Sequence, residues 1–268
     1  MKALLPTLFI LLPLNGSSQE FDSDLFSALN YNSLKLFKES EMSKLTVTTY
    51  RKSEDAGQNV VETIATYRQG KFNPERINYN IKYTEHYAVE DRKKSLGQYE
   101  FKNGQLFKYE RTDFNNRNAR MYTLYSNFNY ENDIVLRENM RTKEYVASGS
   151  VDFDTIVVRD TVIYEVSEAP GGFRQDNLSD PGSYTVYEVA DGKLMKKTSY
   201  FEVFEEVTTF TYDSKGHLVK IITVLSNDEG GTSTTKTELH YTMEGLLDET
   251  KFYDDTGDLL ERKTFEYK

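Results

Sequence analysis

Three histidines, His86, His217 and His240, are the side chains of this sequence best suited to proton transfer or metal ligation near neutral pH. His86 falls on the even, polar side of an alternating run that begins at Ile77. His217 sits in a turn beside Gly216, and His240 lies between Leu239 and Tyr241, opposite an aromatic face. None has a second His or a Cys at ligand spacing, so a zinc site lacks its ligands and all three read as solvated surface residues. Ser233-Thr234-Thr235-Lys236 fits Ser-x-x-Lys, in which a lysine can take a serine proton. That chemistry needs a helix start to aim the hydroxyl, and the flanks Gly230-Gly231-Thr232 and Thr237-Glu238-Leu239 read as a turn entering a strand. With 43 Asp and Glu, carboxylate pairs for glycoside hydrolysis occur everywhere and no two stand out. Asp254-Asp255-Thr256-Gly257-Asp258 and Asn227-Asp228-Glu229-Gly230 offer oxygen ligands, but lack the ordered alternation of a calcium loop and read as acidic turns. There is no Gly-x-Ser-x-Gly elbow, no His-Glu-x-x-His, no phosphate loop and no dinucleotide fingerprint. The sequence therefore assigns no catalytic, cofactor-binding or metal residue and reads as a non-enzyme without a cofactor.

The elements that would position any site are strands. Ile77-Asn78-Tyr79-Asn80-Ile81-Lys82-Tyr83 places large apolar side chains on odd positions and Asn or Lys on even ones, a sorting that only a strand gives two faces. Similar segments are expected at 45–50, 60–67, 98–101, 105–111, 121–130, 156–166, 184–189, 194–212, 218–225, 235–241, 246–253 and 259–267. Turn signals lie between them, among them Asn103-Gly104, Asp191-Gly192, Lys215-Gly216, Glu244-Gly245 and Thr256-Gly257. Such pairs supply the positive φ of tight hairpins, so consecutive strands should pair antiparallel. The fold class is mainly all-β, an antiparallel meander of hairpins in a large twisted or curved sheet. One or two short N-terminal helices are expected near residues 22–29 and 33–37, where N-cap residues precede apolar ones at helical spacing.

Composition agrees. Twenty Tyr, 16 Phe and many Thr and Val suit a half-buried pleated surface, and 38% hydrophobic residues is too few for a parallel sheet covered on both faces. Residues 1–18 have the order of a signal peptide: Lys2, an apolar stretch from Ala3 to Leu14, then Asn15-Gly16-Ser17-Ser18, with cleavage expected near Ser18. The organisation expected is 1–18 signal peptide, 19–168 N-terminal β region, 169–183 Pro/Gly loop or linker, and 184–268 C-terminal hairpin repeats. Without cysteine neither disulfides nor a lipid anchor on an N-terminal Cys can form. The net charge of -10, with no basic stripe, disfavours nucleic acid as a partner. No stretch after the signal is apolar enough for a transmembrane helix, and alternate positions carrying Lys, Glu and Asn argue against a transmembrane barrel.

A unit recurs along the C-terminal region. Tyr212-Asp213-Ser214-Lys215-Gly216-His217-Leu218 and Tyr253-Asp254-Asp255-Thr256-Gly257-Asp258-Leu259 are its clearest copies, and Tyr241-Thr242-Met243-Glu244-Gly245-Leu246-Leu247 is a relative. Echoes occur at Tyr99 to Leu106 and Tyr187 to Leu194. The unit resembles the YD repeat of Rhs-type bacterial envelope proteins over the last 60 or so residues, without the Arg usual after the Gly. That resemblance implies hairpins that stack into sheet shells, an extracytoplasmic setting and no catalytic residue. The order of Leu34 to Met42 before the strand Leu45 to Tyr50 is also similar to periplasmic lipoprotein carriers, in which a helix precedes a curved sheet cradling an acyl chain.

The function expected from these features is that of an exported, non-enzymatic binding module, periplasmic or extracellular, contacting an envelope protein or glycan. Two alternatives remain open: a periplasmic carrier of a lipid or other apolar ligand, and a glycan-acting hydrolase with an unrecognised carboxylate pair.

Overall fold

A computed structural model describes residues 37–38, 42–52, 59–71, 75–84, 93–103, 105–114, 120–131, 135–147 and 156–268. The signal segment, the expected 22–29 helix and His86 lie outside them. Of the expected helix at 33–37, only Phe37 is described, helical together with Lys38.

Strands dominate. The first eight are β1 (Lys44–Lys52), β2 (Asn59–Gln69), β3 (Arg76–Tyr83), β4 (Lys93–Lys102), β5 (Gln105–Phe114), β6 (Arg120–Glu131), β7 (Val135–Ala147) and β8 (Ile156–Ala169). The next eight are β9 (Gly172–Asn177), β10 (Tyr184–Ala190), β11 (Lys193–Phe201), β12 (Phe204–Tyr212), β13 (Leu218–Asn227), β14 (Thr232–Tyr241), β15 (Leu247–Tyr253) and β16 (Leu259–Tyr267). Each pairs antiparallel with its successor, confirming the meander. The sheet does not end at an edge, because β1 also pairs with β16, from Leu45 opposite Tyr267 to Arg51 opposite Glu261. Closure satisfies the backbone donors and acceptors that two edge strands would leave open.

Two local expectations are corrected. The 169–183 loop or linker holds β9, in which Phe173 and Gln175 alternate inward and which bonds to β8 and β10. Gly171, at φ 74, makes the turn that lets the chain re-enter the sheet. The single run expected over 194–212 is two strands, folded so that Phe201 pairs with Phe204 across Glu202-Val203. β7 is an addition rather than a correction, a strand that the sequence does not announce because Leu136-Arg137-Glu138-Asn139 and Arg141-Thr142-Lys143-Glu144 show no clean alternation.

The Tyr-to-Leu units fold as one kind of hairpin. Tyr212 pairs with Leu218, Tyr241 with Leu247 and Tyr253 with Leu259, and in each the register shifts just before the tyrosine. Phe101 with Leu106 and Val189 with Leu194 do the same. The shift leaves one extra residue after each leucine, a β-bulge that sharpens the local twist. Bulging accounts for three exposed apolar side chains, Phe107, Met195 and Leu260, each of which follows such a leucine. In the Asp turns the first side chain closes the loop: Asp213 Oδ1 accepts from the amides of Lys215 (2.9 Å) and His217 (2.8 Å), and Asp254 Oδ1 from those of Thr256 (3.1 Å) and Asp258 (2.8 Å). On one rim the tyrosines also tie neighbouring hairpins together, since Tyr212 Oη donates to Leu194 O at 2.9 Å and Tyr241 Oη to Leu218 O at 2.8 Å. Tyr253 ends a strand at the opposite rim, faces outward and donates to Glu238 instead.

The inner wall carries the core. One buried cluster joins Phe37 to β1 through β6, including Leu45, Ile77, Tyr79, Tyr99, Tyr109 and Phe128. A second joins Phe210, Leu218, Ile221, Leu239 and Leu247, and Phe265 packs against both.

Candidate functional site

Among the described residues, those that could carry chemistry do not converge. Ser233 pairs with Leu225 and Lys236 with Ile222, so the two occupy opposite faces of β14 and a proton cannot pass between them. His240, opposite Glu249, faces outward. His217 stacks on Tyr241 at 4.8 Å, with Nδ1 3.1 Å from Asp213 Oδ2 in its own turn. Asp254 spends Oδ1 on its turn, and Asn227 Oδ1 accepts from Gly231 N at 2.7 Å. Among the described residues no three His, Cys, Asp or Glu are placed to hold a metal ion.

Among the described residues a recess lies on each face of the wall, and the sequence announces neither. The outer groove crosses β4, β5 and β6 and has a volume of about 340 Å³. The register sets Gln98 opposite Glu110, Glu110 opposite Tyr125, Glu100 opposite Lys108 and Lys108 opposite Asn127. Gln98 Nε2 donates to Glu110 Oε2 at 3.0 Å, and Arg76 Nη2 to Glu100 Oε1 at 3.3 Å. These anchors hold the carboxylates upright on the wall, beside a tyrosine and an amide.

The inner niche lies under β1 to β5 and β16, with a volume of about 90 Å³. Tyr67, Tyr79, Tyr99 and Tyr109 pack on one another at its apolar side, with ring centroids 5.3 to 6.4 Å apart, and Tyr79 and Tyr109 share a hydrogen bond of 2.9 Å between their hydroxyls. At the polar side Arg51 Nε meets Glu62 Oε2 at 3.0 Å and Arg51 Nη2 meets Glu261 Oε2 at 3.2 Å, while Lys263 Nζ lies 3.1 Å from Glu261 Oε1. Arg111 Nε donates to Asp113 Oδ1 at 2.9 Å. Burial pushes the Glu261 carboxyl up, but Lys263 and Arg51 more than reverse this and hold it below the ordinary carboxylate range.

The two shared hydroxyls give a prediction at alkaline pH. Burial, above all, pushes both Tyr79 and Tyr109 well above the ordinary tyrosine range. A raised folded pKa leaves stability untouched below about pH 10, where the unfolded chain also keeps its protons. Above that the unfolded chain ionises first, so stability falls as pH rises. Tyrosinate absorbance titrated alongside circular dichroism should show a late fraction that ionises only as the sheet signal is lost. Complete ionisation with an intact sheet signal would contradict the burial of this pair.

On the outer wall charged pairs occur around the barrel. Arg76 meets Glu100 at 3.3 Å and Arg120 meets Glu144 at 3.4 Å, Lys196 meets Glu188 and Lys236 meets Glu238 at 2.9 Å, and Glu249 holds both Lys251 and Arg262. Arg174 lies 3.7 Å from the centre of the Tyr184 ring. No helix of the described residues is long and apolar enough to cross a membrane.

No family model matches the chain, and neither does any curated protein. Solved structures do. A porin-like protein from Bacteroides uniformis ATCC 8492 aligns over 85% of this chain and 96% of its own, at 10% identity and a TM-score of 0.49. A porin-like protein from Bacteroides vulgatus ATCC 8482 aligns over 85% and 98%, at 9% identity and a TM-score of 0.20. At these scores the likeness transfers no role to this chain.

Proposed function

We propose that the chain is an exported, non-enzymatic binding module, surrounded by water in the cell envelope, that holds a glycan in the groove across β4, β5 and β6. The outer groove carries this reading. Its volume of about 340 Å³ falls within the range of roughly 300 to 1,000 Å³ typical of ligand sites. Its wall places the aromatic Tyr125 beside the amides of Gln98 and Asn127 and the carboxylates of Glu100 and Glu110. Sugars present the complement, apolar ring faces bordered by hydroxyls that both donate and accept.

The outward charges support water rather than lipid as the surroundings, because a Lys or Arg on a lipid-facing strand costs about 2–4 kcal/mol at the bilayer midplane. The signal-like residues 1–18 support export. A non-catalytic role fits the scatter of serine, lysine and histidine over separate faces and turns. The carrier alternative has less support: the tyrosines that would line an apolar cavity pack on each other, and the space beside them is about 90 Å³.

The test is a glycan array probed with the purified protein, followed by calorimetry on the best binder. Tyr125→Ala should weaken binding about tenfold or more, the worth of a stacked ring and its ordered contacts. Absence of any glycan binder, or a binder indifferent to Tyr125→Ala, would remove the proposal.

A further inference from the structure

The inner niche has chemistry of its own, separate from the outer groove. Four cations line it, Arg51, Lys94, Arg111 and Lys263, against the carboxylates of Glu62 and Glu261 and that of Asp113 beside Arg111. Among the described residues one positive charge is in excess. The arginines and Lys263 are all engaged with carboxylates, whereas Lys94 Nζ has only the face of Tyr83, 5.7 Å away, and no carboxylate among the described residues. Next to it, Ser95 is 1% exposed, faces inward opposite Ile81 and has no hydrogen-bond partner for its hydroxyl. Glu62 Oε2, on a residue 7% exposed, likewise accepts no aligned hydrogen bond, although Arg51 lies close. Buried polar atoms left without partners are costly, and these two lie beside the unpaired Lys94, where another molecule can supply the partner.

The three features specify a guest. Excess positive charge at Lys94 calls for an anion. The Ser95 hydroxyl can donate to it, and Glu62 Oε2 needs a donor in return, as a hydroxyl on the guest would provide. The space is small, about 90 Å³ against the roughly 150 Å³ that accommodates benzene, and suits a guest of few heavy atoms. We propose that this niche binds a short-chain hydroxycarboxylate, of glycolate to lactate size, its carboxylate on Lys94 and Ser95 and its hydroxyl on Glu62.

Glycolate is the probe, titrated into the full-length processed protein and followed by calorimetry. Acetate, which lacks the hydroxyl, should bind severalfold more weakly, and sodium chloride at equal ionic strength should not compete. Lys94→Gln should weaken glycolate binding tenfold or more, because a hydrogen bond to a charged group is lost. Ser95→Ala removes only an unpartnered hydroxyl, so it should fold as the parent does and still bind severalfold more weakly. Tyr125→Ala should leave glycolate binding unchanged, which keeps this site distinguishable from the glycan groove. No glycolate binding, or binding that survives both Lys94→Gln and Ser95→Ala, would overturn the assignment, as would displacement by chloride.

Discussion

Gly97→Ala should lower the stability of this protein by about 3 kcal/mol or more, through a clash that no side-chain rearrangement relieves. A Cβ built on Gly97 would stand 1.9 Å from the backbone oxygen of Glu110 and 2.9 Å from Tyr79 Oη. The first of these is backbone of the paired strand, so β4 would have to pull away from β5 and forfeit part of their ladder. Nothing about the φ of Gly97 demands glycine; the demand is for space. Gly97 sits directly opposite Tyr79 on the inner face, and the absent side chain gives the tyrosine room to meet Tyr109. Urea denaturation followed by circular dichroism should show the midpoint shifted down, and the thermal midpoint should fall by roughly 10 °C for a chain of this size. A midpoint unchanged from the parent would mean that the two strands are not so close.

Tyr109→Ala should cost about 3–5 kcal/mol, the usual range for emptying a buried aromatic site. Tyr109 is 2% exposed and touches three things at once: the Tyr99 ring at 5.3 Å, the Tyr79 ring at 6.3 Å and 10° from parallel, and the Tyr79 hydroxyl. Tyr109→Phe separates the contributions. It keeps the packing and removes one hydroxyl of the shared hydrogen bond, so it should cost about 1–3 kcal/mol. The double variant Gly97→Ala with Tyr109→Ala should be less destabilised than the sum of the two, because both act on the position of Tyr79. If Tyr109→Ala costs no more than Tyr109→Phe, the ring contributes nothing and the stacked cluster is not a core.

Many elements are legible in the sequence alone, and those that are not have physical causes. Alternation was strong enough to find β3 from Ile77, Tyr79 and Ile81, and Asp191-Gly192 marked its turn because both residues take positive φ, 51° and 70°. The turn at Glu202-Val203 was missed for the opposite reason. Neither residue favours a left-handed backbone, and the strand pattern runs through them. The recurring Tyr-to-Leu unit was legible as a hairpin, but not the bulge after its leucine, nor the placing of its copies on two rims. Both recesses were illegible. Gln98, Glu110 and Tyr125 meet in the groove only because two hairpins align them, and Lys94 reaches the niche through a register shift between Ile81 and Lys82.

Local order, then, is written in the chain: side chains alternating with period two, glycine turns at short intervals, and an aromatic and a leucine bracketing several of them. These are interactions between near neighbours, and their spacing is a property of the polymer. The closed barrel, and which of two mixed faces looks inward, came from elsewhere. Closure brings Leu45 against Tyr267 and Arg51 against Glu261, more than 200 positions apart, and depends on twist and stagger summed over every strand between them. An inner wall holding Arg51, Glu62 and Lys263 is as polar in sequence as the outer wall holding Lys251 and Glu249. Only the folded sheet, by packing Phe265 against both aromatic and aliphatic clusters, settles which of them is the interior.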